Sequence, residues 1–67
     1  MFIIEYYDVE FNTTTVDDLY FTTYEQAVEY LTVYGYVLEE NSNKIIFTNY
    51  SIMENAEIKE LTKFISD

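Results

Sequence analysis

The sequence predicts an α+β fold of ββαββα order: a four-stranded antiparallel sheet with two helices packed on one face, in a single domain over residues 1–67. Three observations lead there. Two runs rich in β-formers, MFIIEYYDVEF and VDDLYFTT, precede a helical pattern. A second pair, YVLEE and KIIFTNY, precedes another. Both passages from strand to helix carry similar local chemistry, Phe21-Thr22-Thr23-Tyr24 and Phe47-Thr48-Asn49-Tyr50.

The first run places Phe2, Ile4 and Tyr6 on one face, with Val9 and Phe11 on the other parity; a bulge near Tyr6 and Tyr7 would reconcile them. Asn12 to Thr15 reads as a polar connector, and the second strand puts Leu19 and Phe21 opposite Asp18, Tyr20 and Thr22. The first helix starts at Thr23, because Thr23 and Gln26 have capping-box spacing. Its inward stripe is Tyr24, Ala27, Val28, Leu31 and Tyr34. Gly35, the single glycine, stands where a helix C-cap requires positive φ. Asn41 to Asn43 is turn chemistry between the third and fourth strands, where Ile45 and Phe47 are expected to point inward.

The second helix is expected from Ser51 and Glu54, again at capping-box spacing, or from a later cap at Asn55. Ile58, Leu61, Phe64 and Ile65 supply its apolar stripe, and Glu60 with Lys63 a weak i,i+3 pair. The repeated corner is read as convergence, since a strand end needs a β-former and a helix start a small polar residue. Duplication of a ββα unit stays open.

Composition restricts function. The net charge is −10, from 13 acidic residues against Lys44, Lys59 and Lys63, yet hydrophobic residues make up 49% of the chain, so it folds and does not behave as an acidic tail. There is no His, Cys, Arg, Trp or Pro. That removes disulfides, Cys- or His-based metal sites and the usual neutral-pH catalytic groups, so no enzyme and no cofactor is expected. The acidic surface repels nucleic acid and anionic membranes and attracts basic protein surfaces. No apolar run approaches a membrane span, and the N-terminus lacks the basic start of a signal peptide; cytoplasmic residence is the simplest expectation. A core this small supplies only about 3–5 kcal/mol, and with no disulfide available a homodimer is expected.

Several constellations could carry function. Glu5, Tyr7, Asp18 and Tyr20 are expected on the sheet face away from the helices, with Glu25 and Glu29 nearby. This is either a solvated acidic face or a binding face for a basic partner; tyrosines favour the latter, because they supply rigid amphipathic contact area. Tyr30 and Val33, on the outward side of the first helix, suggest a dimer or partner contact. Asp8, Glu10, Asp17 and Asp18 form a carboxylate group without an EF-hand pattern, so no metal site is assigned. Glu39 and Glu40 read as edge charging against sheet-to-sheet aggregation.

Glu25 and Glu29 lie about 6 Å apart on a helix face, near the spacing of successive phosphates, which advance about 3.4 Å along the axis per nucleotide while rotating. In size, charge, lack of cysteine and α+β character, the chain resembles the small acidic inhibitors encoded by phages and mobile elements. These include uracil-DNA glycosylase inhibitors and many anti-CRISPR proteins, some of which imitate DNA. No sequence motif is shared, so no site residue carries over. The resemblance implies a non-catalytic inhibitor, acting in the host cytoplasm, whose acidic, tyrosine-bearing surface blocks a basic groove of a nucleic-acid-handling protein. The alternatives are a structural or regulatory homodimer whose acidity serves solubility, or a sponge for a small ligand.

Overall fold

The computed structural model describes residues 1–41 and 44–61. Six elements follow one another: β1 (Phe2–Asp8), β2 (Thr13–Val16), α1 (Tyr24–Val33), β3 (Val37–Asn41), β4 (Lys44–Asn49) and β5 (Glu54–Glu60). The strands form one antiparallel sheet in the order β2-β1-β5-β4-β3. The expected four strands and two helices are therefore corrected, among the described residues, to five strands and a single ten-residue helix.

The largest correction is at Glu54–Glu60, expected as the second helix and found as the central strand. Its composition favours a helix, but β1 pairs with it along its whole length and β4 along its first half. Ladder bonds on both edges outweigh intrinsic propensity. Alternation fits: Ala56 and Ile58 face the core, while Glu57 and Lys59 face away. Ser51 lies in a turn, where its N–H donates to Asn49 Oδ1 at 3.0 Å, and Asn55 Oδ1 accepts from the Thr48 hydroxyl across the ladder. Phe64, Ile65 and Lys63 of the expected helix lie outside the described residues, as does the connection at 42–43. The corner at Phe47–Tyr50 leads into a turn and a strand, so it does not repeat the corner at Phe21–Tyr24, and the described residues do not form two ββα halves.

The first hairpin also shifts. β1 runs unbroken to Asp8 with no bulge, and Val9 to Asn12 are the turn, leaving Thr13–Val16 as the strand. Asp8 closes this turn: its carboxylate accepts the N–H groups of Glu10 and Phe11 (2.9 and 3.1 Å). Asn12 takes a left-handed φ of 56°, which Asn tolerates. The β4–β5 turn has the same four-residue build, but there Met53 holds φ 54°. After Asp17, whose N–H reaches the Ile4 carbonyl, residues 18–20 leave the sheet; Phe21 then pairs with Phe2 as an isolated bridge. The expected second strand over 16–23 is thus an interrupted edge, a form that discourages pairing with other chains.

The expected helix ends are found. Thr23 Oγ1 accepts the Gln26 N–H at 3.2 Å, while Gln26 Oε1 reaches back one residue further than expected, to the Thr22 N–H and hydroxyl. At the other end Tyr36 N–H bonds the Leu31 carbonyl and Gly35 N–H the Thr32 carbonyl, with Gly35 at φ 93°, a Schellman cap. Asn49, almost fully buried, ties this cap to the sheet, donating from Nδ2 to the Tyr34 carbonyl at 3.1 Å.

α1 lies over β1 and β5. The core is Ile4, Ala27, Leu31, Tyr36, Phe47 and Ala56, with Ile4 and Leu31 its largest fully buried side chains. The opposite face of the sheet has no covering layer among the described residues.

Two outcomes follow from this packing. Ile4→Ala costs about 2–5 kcal/mol, comparable with the whole net stability of about 3–5 kcal/mol expected of so small a core, so circular dichroism should find it largely unfolded at 25 °C, whereas Ile4→Val stays folded. Met53→Asn removes a left-handed penalty of about 1 kcal/mol and should raise Tm by about 4–8 °C; an unchanged Tm would mean that position 53 carries no strain.

Candidate functional site

Four tyrosines meet beside the C-terminal end of α1. Tyr6 comes from β1, on the same face as Ile4, and sits opposite Ala56, whose small side chain leaves room for a ring. Tyr30 is in the last turns of α1, and Tyr34 caps it one turn later. The reversal at Gly35 then brings Tyr36 back beneath them, into the core. Ring centroids are 6.0 Å apart for Tyr6 and Tyr36 and 4.7 Å for Tyr30 and Tyr34, both pairs tilted by about 50°. Phe21 packs behind Tyr30 at 5.3 Å.

These rings wall a groove of about 240 Å³ that also exposes Asn49 and Glu54. Two carboxylates anchor its hydroxyls. Tyr36 donates to Glu54 Oε1 at 2.5 Å, and Tyr6 donates to Asp17 Oδ2 at 3.3 Å. Burial, then the neighbouring Asp17, pushes the Tyr6 hydroxyl well above its ordinary value. Burial, then the hydrogen bond to Glu54, does the same for Tyr36, and burial with Asp17 raises Tyr30. The groove is therefore aromatic, rich in acceptors and negative in potential.

The structure distributes the residues singled out from the sequence over three places. Glu5 and Tyr7 share the uncovered sheet face as expected, around a shallow depression with Lys44 and Glu57. There Lys59 Nζ stands 3.7 Å from Glu5 and 3.8 Å from Glu57, and Tyr7 donates to Asn12. Asp18 and Tyr20 do not join them, because residues 18–20 are in the excursion after β2. Glu25, Glu29 and Val33 are exposed on the helix, on the opposite side of the sheet from Glu5 and Tyr7. Tyr30 is half-buried and belongs to the groove. With Phe21, Gln26, Glu29, Val33 and Tyr34 it also lines a second depression, so the Tyr30–Tyr34 pair is a ridge between two hollows.

The sequence reading missed Tyr6, Tyr34, Tyr36, Asp17 and Glu54 as site residues. The available signal was the i,i+4 spacing of Tyr30 and Tyr34 and the Tyr-Gly-Tyr run across the helix cap. Among the described residues no group of three or more acidic side chains is placed to hold a metal; Asp8, weighed in that role, closes a turn instead. Among them, too, no helix is long and apolar enough to cross a membrane.

The tyrosines give the fold a pH dependence of definite sign. Their folded-state pKa values lie above the unfolded value of 10.0, so the folded chain holds protons more tightly. Their contribution is fully present below pH 10 and is lost as pH rises beyond it. Absorbance titration near 295 nm should lag that of the chain in denaturant and steepen where circular dichroism reports unfolding. Superimposable titrations would contradict the described burial.

No protein-family model matches the chain, and neither a curated protein nor a solved structure matches it.

Proposed function

We propose that this is a non-catalytic binding protein whose helix-bearing side occupies a basic groove on a nucleic-acid-handling protein and blocks its substrate. The observation that carries this reading is the partition of charge. Both described lysines, Lys44 and Lys59, project from the uncovered sheet face, where Lys59 is already between Glu5 and Glu57. The helix side presents Asp17, Glu29 and Glu54 beside the tyrosine ridge and Glu25 in the first turn of α1, with no basic side chain among the described residues. Carboxylates on that side steer a basic surface in from a distance, and Tyr34 and Val33, 60% and 73% exposed, supply short-range contact. A nucleic-acid-handling partner is inferred from the phosphate-like spacing of Glu25 and Glu29 and from the resemblance to small acidic phage inhibitors.

Competition on DNA tests it. Proteins of a bacterial lysate are held on DNA-cellulose, and the chain should elute a defined polypeptide and form a stoichiometric complex with it. Glu25→Lys with Glu29→Lys should slow association by about tenfold or more at low salt, a difference that shrinks as salt is raised. Tyr34→Ala should instead speed dissociation. Glu5→Lys, on the opposite face, serves as the neutral control. Affinity unchanged by the double reversal and indifferent to salt would remove the electrostatic mechanism, as would micromolar binding of the chain itself to DNA.

A second reading, a structural or regulatory homodimer, is favoured by one observation. The uncovered sheet face exposes Val16 and Val37 by more than half and carries Ile3 and Ile46, while its lysines offset its acids. Self-association through that face would leave the helix side free. Sedimentation equilibrium at tens of micromolar, roughly the range of a moderate interface, should then find twice the 8.0 kDa chain mass. A single species at the chain mass refutes it.

A further inference from the structure

The tyrosine groove has the attributes of a receptor for one cation. At about 240 Å³ it is below the roughly 300–1,000 Å³ of small-molecule sites, which suits a single side chain better than a whole metabolite. Its walls are the rings of Tyr6, Tyr30, Tyr34 and Tyr36, whose π faces attract positive charge. Glu54 stands in the wall, and Tyr36 occupies only Oε1 of its carboxylate. Asp17 adds charge beside Tyr6. Among the described residues no lysine competes from inside, since Lys44 and Lys59 are on the other face.

The hydrogen-bonding character of the groove selects among cations. Carboxylate, tyrosyl and Thr15 hydroxyl oxygens all accept. One of the two N–H groups of the Asn49 amide is engaged by the Tyr34 carbonyl, so acceptors outnumber the donor that remains. A quaternary ammonium offers no N–H to these acceptors, and a primary ammonium is a compact, strongly hydrated point. A guanidinium presents five N–H donors in a plane that stacks on tyrosine and forks to a carboxylate.

We propose that the groove formed by Tyr6, Tyr30, Tyr34, Tyr36 and Glu54 receives the guanidinium of an arginine side chain, stacked against the tyrosine rings and paired with Glu54. This rests on the binding reading above and deepens it, since a basic groove on a partner offers such an arginine. The arginine is the anchor, and Glu29 lies across the Tyr30–Tyr34 ridge in the neighbouring hollow.

The full chain is titrated with N-acetyl-arginine methylamide while the ring signals of Tyr30, Tyr34 and Tyr36 and the Asn49 side-chain amide are followed by NMR. Parallel titrations use the neutral isostere N-acetyl-citrulline methylamide, the lysine analogue and its trimethylated form. Saturable shifts confined to these residues are expected, with Kd on the order of millimolar for a lone side chain and at least about tenfold weaker binding of citrulline. Glu54→Gln should weaken arginine binding by a similar factor. Should that variant unfold, Tyr34→Ala, at an exposed position, serves the same purpose. Equal binding of citrulline, tighter binding of trimethyl-lysine, or shifts that do not saturate would each overturn the proposal. The two readings fail separately. Arginine binding without displacement of any protein from DNA leaves the cation site standing without the blocking role. Displacement without arginine binding leaves the blocking role and removes this anchor.

Discussion

The pairing of Glu54–Glu60 between β1 and β4 is the constraint on which the rest of the structure depends. It joins the amino-terminal hairpin to the β3–β4 pair, so that two small ribbons become one five-stranded sheet. Its register also writes the core. Ile4 lies opposite Ile58, and Tyr6 and Phe47 flank Ala56 from either side. A larger residue at 56 would crowd both rings and the helix above them. Glu54, at the start of the same strand, is brought to the wall of the tyrosine groove. One strand therefore fixes the sheet, the seat of α1 and the acidic member of the candidate site.

The one helix among the described residues covers one face of the sheet, and the consequence is two chemically different sides. On the helix side the aromatic residues crowd against the end of α1, where the chain reverses at Gly35 and Asn49 pins the cap to β4. Carboxylates there have no basic neighbour to offset them among the described residues. On the other side aliphatic residues, threonines and the lysines are interspersed with acids, and exposed ion pairs such as Lys59 with Glu5 contribute little to stability. Asp17 and Glu54 thus stand among the tyrosines, and charge with aromatic area is what recognition of a basic surface requires.

Signals confined to a few residues were legible in the sequence. Thr23 and Gln26 announce the helix start, and Gly35 its end, because these depend on local hydrogen bonds and on one φ angle. The inward parity of Ile4 and Tyr6 is legible for the same reason. Glu54–Glu60 was not, although Ala56-Glu57-Ile58-Lys59 alternates as a strand should. Its Glu, Ala and Lys residues are good helix formers, and only partners distant in the chain supply the ladder that overrides them. Thr13–Thr15, read as a connector, became a strand because Asp8 and Asn12 build the turn earlier. The site was less legible than the fold. Tyr30 was singled out, but its grouping with Tyr6, Tyr36 and Glu54 joins two strands, a helix and the residue just past its glycine cap, and no local pattern encodes that meeting. Conversely, Asp18 and Tyr20 had the right alternation for a sheet face, but the edge strand breaks at that point.

The placement of Glu54–Glu60 as the central strand is the claim from which the groove, the two-sided charge and both proposals descend, and backbone NMR tests it most directly. Carbon shifts of extended type across residues 54–60, with cross-strand contacts between Ile4 and Ile58 and between Tyr6 and Ala56, are the result this account predicts. Helical shifts over the same residues, with contacts between positions three and four apart, would contradict it.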